Sequence, residues 1–223
     1  MQRLAIYDLD KTITRAPTWT RFLVHYAATR APWRLALLPV VALVALAYPL
    51  RLIDRAQLKQ ATHRLLIGAR VAPARLAQAA ASFARAEYAT GMFPAALAQI
   101  AADRAAGYRI VIATASHRFY VAAIAALLGA DAVIATEAQR EASGGVTHRL
   151  AGENCYGAAK RDRVGAWLAS EGLSRTGVHI RFYSDHISDA PLLEWADEAF
   201  AINPGRALRD LAKARGWTAL DWR

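Results

Sequence analysis

The sequence predicts a doubly wound α/β fold, a parallel sheet interrupted once by a helical insertion after its first strand. Three observations carry this. Five short apolar runs have strand length, Ala- and Leu-rich helical patterns separate most of them, and one long stretch, from about residue 15 to 90, carries no strand signal.

The first run, Leu4 to Tyr7, leads directly into Asp8-Leu9-Asp10-Lys11-Thr12. The helical pattern Phe93 to Ala106 precedes a run at Arg109 to Ala113, and Phe119 to Leu128 precedes Ala132 to Ala135. Lys160 to Ser170 precedes His179 to Tyr183, and Pro191 to Trp195 precedes Ala199 to Ile202. Gly107, Gly129 and Gly172 fall just past helical patterns, where a left-handed residue closes a helix. Between Glu137 and Gly152, the segment EASGGVTHRLAG predicts a hairpin turning at Ser143-Gly144-Gly145. No internal repeat or low-complexity linker is present.

The insertion has helical periodicity broken by Pro17, Pro32, Pro39, Pro49 and Pro73. Within it, Leu35 to Leu50 holds sixteen residues without a charge, between Arg34 and Arg51. A membrane span needs roughly 20 apolar residues, and this run contains two prolines. The expectation is a buried or half-buried helix of the insertion. Docking of residues 35–50 on an anionic membrane surface is the second reading, supported by the flanking arginines, and a spanning helix the third.

A chain of 223 residues with 55% hydrophobic and 21% charged residues is long enough to bury a sizeable core and excludes a disordered protein. The single cysteine, Cys155, excludes an intramolecular disulfide and fits a reducing compartment; its expected role is packing. The N-terminus shows no cleavable signal pattern, so the expected location is cytoplasmic, peripheral to a membrane if residues 35–50 dock. The net charge of +10 favours anionic partners. Its arginines are scattered, however, with no basic arm and no zinc-finger or RNA-binding signature, and no nucleic-acid partner is expected.

In open parallel sheets, ligands bind at the carboxyl ends of the strands. The first strand delivers Asp8 and Asp10 there, and the second delivers Thr114-Ala115-Ser116, a hydroxyl beside small residues whose N–H groups can approach a phosphate. The fourth delivers Ser184-Asp185, with Asp189 four residues on, and NCYGAAK puts Lys160 at a helix start. Four acids, a hydroxyl and a lysine on one rim suit phosphoryl transfer with a hard divalent cation, Mg²⁺ above all. One carboxylate attacks phosphorus, a second moves protons, and the lysine and hydroxyl stabilise charge.

With these motifs the chain resembles the haloacid-dehalogenase (HAD) superfamily, and within it subfamily IB, the relatives of phosphoserine phosphatase. DLDKT is similar to the DxDxT signature, IVIATAS to the second motif, Lys160 to the third and SDHISDAPLLEWAD to the acidic fourth. The resemblance implies a Rossmann-like core (1–14 and 91–223) with a helical type 1 cap (15–90). It implies Asp8 as nucleophile and Asp10 as general acid/base, with Thr114, Ala115 and Lys160 gripping the phosphoryl group. The Mg²⁺ would be held by Asp8, the backbone carbonyl of Asp10 and Asp185, with Asp189 helping through a water or a ligand's neighbour. Lys11 stands where relatives often carry glycine, and His186 and Ser188 also depart from the usual fourth motif. His117 is a further candidate for reaching the site.

The implied reaction is hydrolysis of a phosphomonoester through an aspartyl-phosphate. A phosphoserine phosphatase is expected to carry an acid soon after the first motif, and Thr14 to Arg21 holds none. The expected substrate is a small phosphorylated metabolite such as histidinol phosphate, with Trp19, Phe22, His25, Tyr26 and Trp33 as candidate pocket residues. A lipid phosphate at a membrane surface is the alternative, and a catalytically silent HAD-like binding protein the alternative of another class.

Overall fold

A computed structural model describes residues 1–223. Six parallel strands form one sheet, in the order β4-β3-β1-β7-β8-β9. They are β1 (Gln2–Tyr7), β3 (Arg109–His117), β4 (Ala132–Thr136), β7 (Val178–Ser184), β8 (Glu198–Ile202) and β9 (Thr218–Leu220). Strand β1 sits at the centre, pairing β3 on one side and β7 on the other. A strand flanked on both edges and covered on both faces must be apolar throughout, and Leu4, Ala5, Ile6 and Tyr7 are fully buried. Helices α5 (Pro94–Ala105), α6 (Arg118–Leu127), α7 (Ala158–Ser170), α8 (Ala190–Leu193) and α9 (Arg206–Arg215) make the connections. Two apolar cores result, one on each face of the sheet.

All five expected strands are present. The last strand, β9, and α9 before it lie beyond the reach of the sequence reading: Thr218–Leu220 is too short to stand out as an apolar run. Gly107, Gly129 and Gly172 do adopt positive φ at helix ends.

The insertion after β1 is helical: α1 (Thr18–Arg30), a 3₁₀ turn (Pro32–Leu37), α2 (Leu38–Ala47), α3 (Arg55–Leu66) and α4 (Pro73–Ala86). Each proline falls at or next to a helix start or just past a helix end, where its missing N–H costs nothing. The expectation of an insertion free of strand is corrected at one point. Arg70–Val71 forms β2, which pairs with β6 (Val146–Leu150) of the predicted hairpin, whose other arm is β5 (Ala138–Arg140). Two residues give no periodicity to read, so this short antiparallel sheet, order β2-β6-β5, emerges only from tertiary packing.

Of the two forms expected for the apolar run at 35–50, the helix takes the half-buried one. No residue of α2 is buried; one face (Leu37, Val41, Val44, Ala47) is half-covered and the other faces solvent. No helix is long and apolar enough to cross a membrane. The 3₁₀ turn gives way to a ten-residue helix between Leu37 and Leu38, with Pro39 in the helix's first turn.

Candidate active site

The carboxyl ends of β1, β3 and β7 gather the expected residues. Asp8 follows β1 directly, its N–H held by the Tyr183 carbonyl at 2.9 Å. Lys160 is the third residue of α7 and is only 2% exposed. Its ammonium donates to Asp8 Oδ1 at 2.8 Å and to Asp189 Oδ2 at 2.6 Å. Ser184 Oγ donates to the same Asp189 oxygen at 2.7 Å, fixing that carboxylate. Burial alone would depress the lysine, but the Asp189 and Asp8 carboxylates hold it above the usual range, so it carries a full charge.

Asp10 is oriented differently. Its Oδ1 accepts from the Thr18 N–H at 2.7 Å and the Thr18 hydroxyl at 2.6 Å, while Oδ2 accepts from Ser116 Oγ at 2.8 Å. The Tyr120 hydroxyl lies 2.8 Å from Thr18 Oγ1, the donor in a short chain that ends on Asp10. Three donors pin this carboxyl away from the Asp8–Lys160–Asp189 array. Thr12 ties the remaining acid in: its hydroxyl accepts the Asp185 N–H at 3.0 Å and lies 3.4 Å and 3.5 Å from carboxylate oxygens of Asp185 and Asp8.

Electrostatically the rim is short of positive charge. Burial pushes Asp8 up to about 8, against the pull of Lys160 and with Asp189, Asp185 and Asp10 adding repulsion. Burial likewise pushes Asp185 up to about 6, with Asp189 adding to it. Asp189 Oδ1 is a buried acceptor without a partner. Hard oxygen donors that favour ionisation only if a cation arrives, and a spare acceptor for water, fit Mg²⁺. No three His, Cys, Asp or Glu side chains are grouped to hold a metal unaided.

Asp8, Asp10, Thr114, Ala115, Lys160, Asp185 and Asp189 line one cavity of about 250 Å³, together with Lys11, Arg55, Tyr156 and His186. A larger hollow of about 550 Å³ lies at the hairpin, walled by Arg70, Glu141 and His148, and contains none of the rim residues. The chemistry, and not the size, identifies the first.

Other candidates are elsewhere. His117 is fully buried, stacked on Phe119 and tilted against Trp19, outside the cavity. Phe22 and Tyr26 are core residues, His25 bonds Ser82, and Trp33 is 65% exposed under Arg34. Of the five aromatic candidates only Trp19 borders a cavity shared with Asp10. Cys155 is buried as expected, and burial raises its thiol.

Three site residues escaped the sequence reading. Ser116 had a signal, since it completes the Thr114-Ala115-Ser116 turn, but Thr18 and Lys59 had none. Lys59 on α3 reaches the Ala115 carbonyl at 2.5 Å and Asn154 Oδ1 at 2.6 Å, and burial lowers it to about 8. A lysine in a helical pattern reads as solvated, and only the packing of α3 over β3 reveals otherwise. Arg55, one turn earlier, stacks over Tyr156 at 3.9 Å and overhangs the cavity.

A parallel doubly wound sheet with paired aspartates after its central strand, a buried lysine bridging two acids and helices over the rim defines a Rossmann-like α/β protein with an acidic site. The chain belongs to the haloacid dehalogenase-like hydrolase family, whose model matches residues 5–194. It is 37% identical over 131 residues to a probable phosphatase from Mycobacterium tuberculosis, covering 59% of this chain and 44% of that protein. It is 29% identical over 119 residues to a histidinol-phosphatase from Neisseria meningitidis, covering 53% of this chain and 54% of the other. The chain thus spans about half the length of these curated relatives. A crystal structure of a protein of unknown function from Bordetella pertussis Tohama I matches over the full length of both chains, with TM-score 0.89 and 28% identity.

Proposed function

We propose that this chain is a Mg²⁺-dependent phosphomonoesterase that works through an aspartyl-phosphate on Asp8. The observation that supports it most is the fully charged, buried Lys160 bridging Asp8 and Asp189, with Asp10 held apart by Thr18 and Ser116. Asp8 is the oxygen nucleophile, and its carboxylate attacks phosphorus as the ester P–O bond breaks. Asp10, as the acid, gives its proton to the leaving oxygen, and as carboxylate then takes a proton from the water that cleaves the acyl-phosphate. Thr114, the Ala115 backbone and Lys160 hold the phosphoryl oxygens. Asp8, the Asp10 carbonyl and Asp185 would hold Mg²⁺, with Asp189 supporting a bound water; the ion supplies charge neutralisation at the transferring group.

Residues 15–90 act as the cap over a core of 1–14 and 91–223. A cavity of about 250 Å³ suits a phosphate on a small head. The relative named histidinol-phosphatase supports a small phosphorylated metabolite such as histidinol phosphate as the reading to test first. The experiment is phosphate release from p-nitrophenyl phosphate, then from a panel of phosphorylated metabolites, with and without Mg²⁺. Asp8→Asn is expected to lower turnover at least about a thousandfold with the fold intact. Turnover within tenfold of wild type would remove Asp8 as nucleophile. A folded, Mg²⁺-loaded protein that releases no phosphate from any ester would favour a silent binding protein.

A further inference from the structure

Eight of the thirteen large apolar residues exposed on this molecule fall between Trp33 and Leu52. Leu43, Leu46, Leu50 and Leu52 are each more than 60% exposed, on and just beyond α2. Single exposed leucines are ordinary, but a contiguous set on one projecting helix marks a contact surface. We infer that this face docks on an anionic phospholipid bilayer, α2 and Trp33 entering the headgroup boundary and a nearby arginine cluster taking a lipid phosphate.

Charge argues for that occupant. From Lys11 to Ile53 there are six lysines and arginines and no aspartate or glutamate. Two copies of so basic a face repel one another, which disfavours self-association, whereas an anionic leaflet attracts it. At the foot of the apolar segment, Arg30, Arg34, Arg70 and Arg75 surround a cavity of about 290 Å³ that Trp33 and Tyr26 also line. Arg30, one of the lining residues, also has a buried Nε without a hydrogen-bond partner. Four arginines around one cavity, of which Arg70 alone is ion-paired, to Glu141, suit an oxyanion of headgroup size. Tryptophan at the edge of such a patch is suited to the boundary, its ring in hydrocarbon and its N–H in the polar layer.

The placement also concerns the reaction. Leu38–Ala47 packs along α3, whose far end carries Arg55 over the active-site cavity. Tyr48, one residue past α2, shares a second cavity with Asp10, Trp19 and Lys59. The docking face therefore runs from the arginine cavity at one end to the mouth of the site at the other. This inference rests on the proposed phosphatase reading only in naming the substrate class: a phosphomonoester carried on, or released beside, a lipid surface.

The test is co-sedimentation of the full chain with phosphatidylcholine vesicles, with and without phosphatidylglycerol. Binding is expected only with the anionic lipid, weakened by salt. Leu43→Glu with Leu46→Glu, and separately Arg30→Gln, should each reduce it at least about tenfold. Circular dichroism and turnover of p-nitrophenyl phosphate should stay unchanged in both variants, because neither touches the rim. No binding to anionic vesicles, or equal binding to neutral ones, overturns the inference. Concentration-dependent dimerisation abolished by the same leucine substitutions, without vesicle binding, would assign the face to a second copy. Vesicle binding by a protein without phosphatase activity would strike the proposed reaction and leave this inference standing.

Discussion

Lys11 shows how a single residue can carry both a cost and a use. It adopts φ of 61°, in the left-handed region that a side chain occupies at roughly 1–2 kcal/mol. That backbone shape is why a glycine suits the position, and the departure read from sequence is a real strain in the loop between Asp10 and Thr12. The ammonium compensates by lining the cavity and drawing down the Asp185 carboxyl, which burial otherwise pushes up to about 6. Lys11→Gly is therefore expected to change stability little, a gain of about 0.5–1 kcal/mol after the unfolded chain's extra entropy is counted. It should also weaken inhibition by inorganic phosphate several-fold. Thermal melts and phosphate inhibition constants measure the two effects separately, and a fall in both would show that Lys11 props the loop. Asp8, Asp10 and Asp185 were legible from sequence because each follows an apolar strand. Thr18 and Lys59 were not, because their partners lie 8 and 56 or more residues away and no local pattern marks them.

Among the elements, β1 and β7 depend on a polar knot beneath the sheet. The rings of Tyr7 and Tyr183 stack with centroids 4.3 Å apart, and both hydroxyls donate to Asp103 Oδ2, at 2.5 Å and 2.9 Å. Arg181 donates to the other Asp103 oxygen at 2.8 Å. Burial, compounded by Asp103 and, for Tyr7, by Tyr183, holds both phenols protonated far above the ordinary tyrosine range. Asp103 is 1% exposed, so removing it strands two hydroxyls and one N–H of Arg181, whose guanidinium keeps Glu198 as a partner. Asp103→Ala is expected to cost about 3–5 kcal/mol in a urea melt, and Asp103→Asn distinctly less because it keeps an acceptor. A loss under about 1 kcal/mol for the alanine variant would mean that water replaces the carboxylate. The strands here were predictable, since both are apolar runs. The knot was not, since Asp103 sits in a helical pattern that reads as surface.

For the molecule as a whole, the joint between the insertion and the sheet sets a response to acid. His63 on α3 and His117 at the end of β3 are fully buried, and none of their four ring nitrogens has a hydrogen-bond partner. Burial, with help from His148, lowers His63 to about 3, and burial beside Lys59 lowers His117 well below its ordinary value. The unfolded chain takes up these protons near pH 6.5 and the folded chain does not, so this part of the stability is present above about pH 6.5 and is lost as pH falls toward 3. At pH 5 His63 alone accounts for about 2 kcal/mol. The difference in unfolding free energy between wild type and His63→Leu should therefore shrink or reverse between pH 7.5 and 5, since the leucine variant has no such proton to gain. A difference independent of pH would show that His63 reaches water. The insertion itself was legible as a gap in the alternation; its exposed α2 was not, because an apolar run carries no record of which side faces solvent.

The position of β1 also fixes an order of events during synthesis. Of the strands of this sheet it is made first, yet its neighbours begin at Arg109 and Val178. Until the strand from Val178 to Ser184 has been made, Leu4 to Tyr7 and the pair of aspartates behind them have at most one edge to bind. Loop closure over such separations is slow, and the apolar helices of the insertion emerge during the wait. A nascent chain halted before Val178 thus presents both an unpaired strand edge and the leucines of α2. Elongation past β7 is the step that commits it to the native sheet.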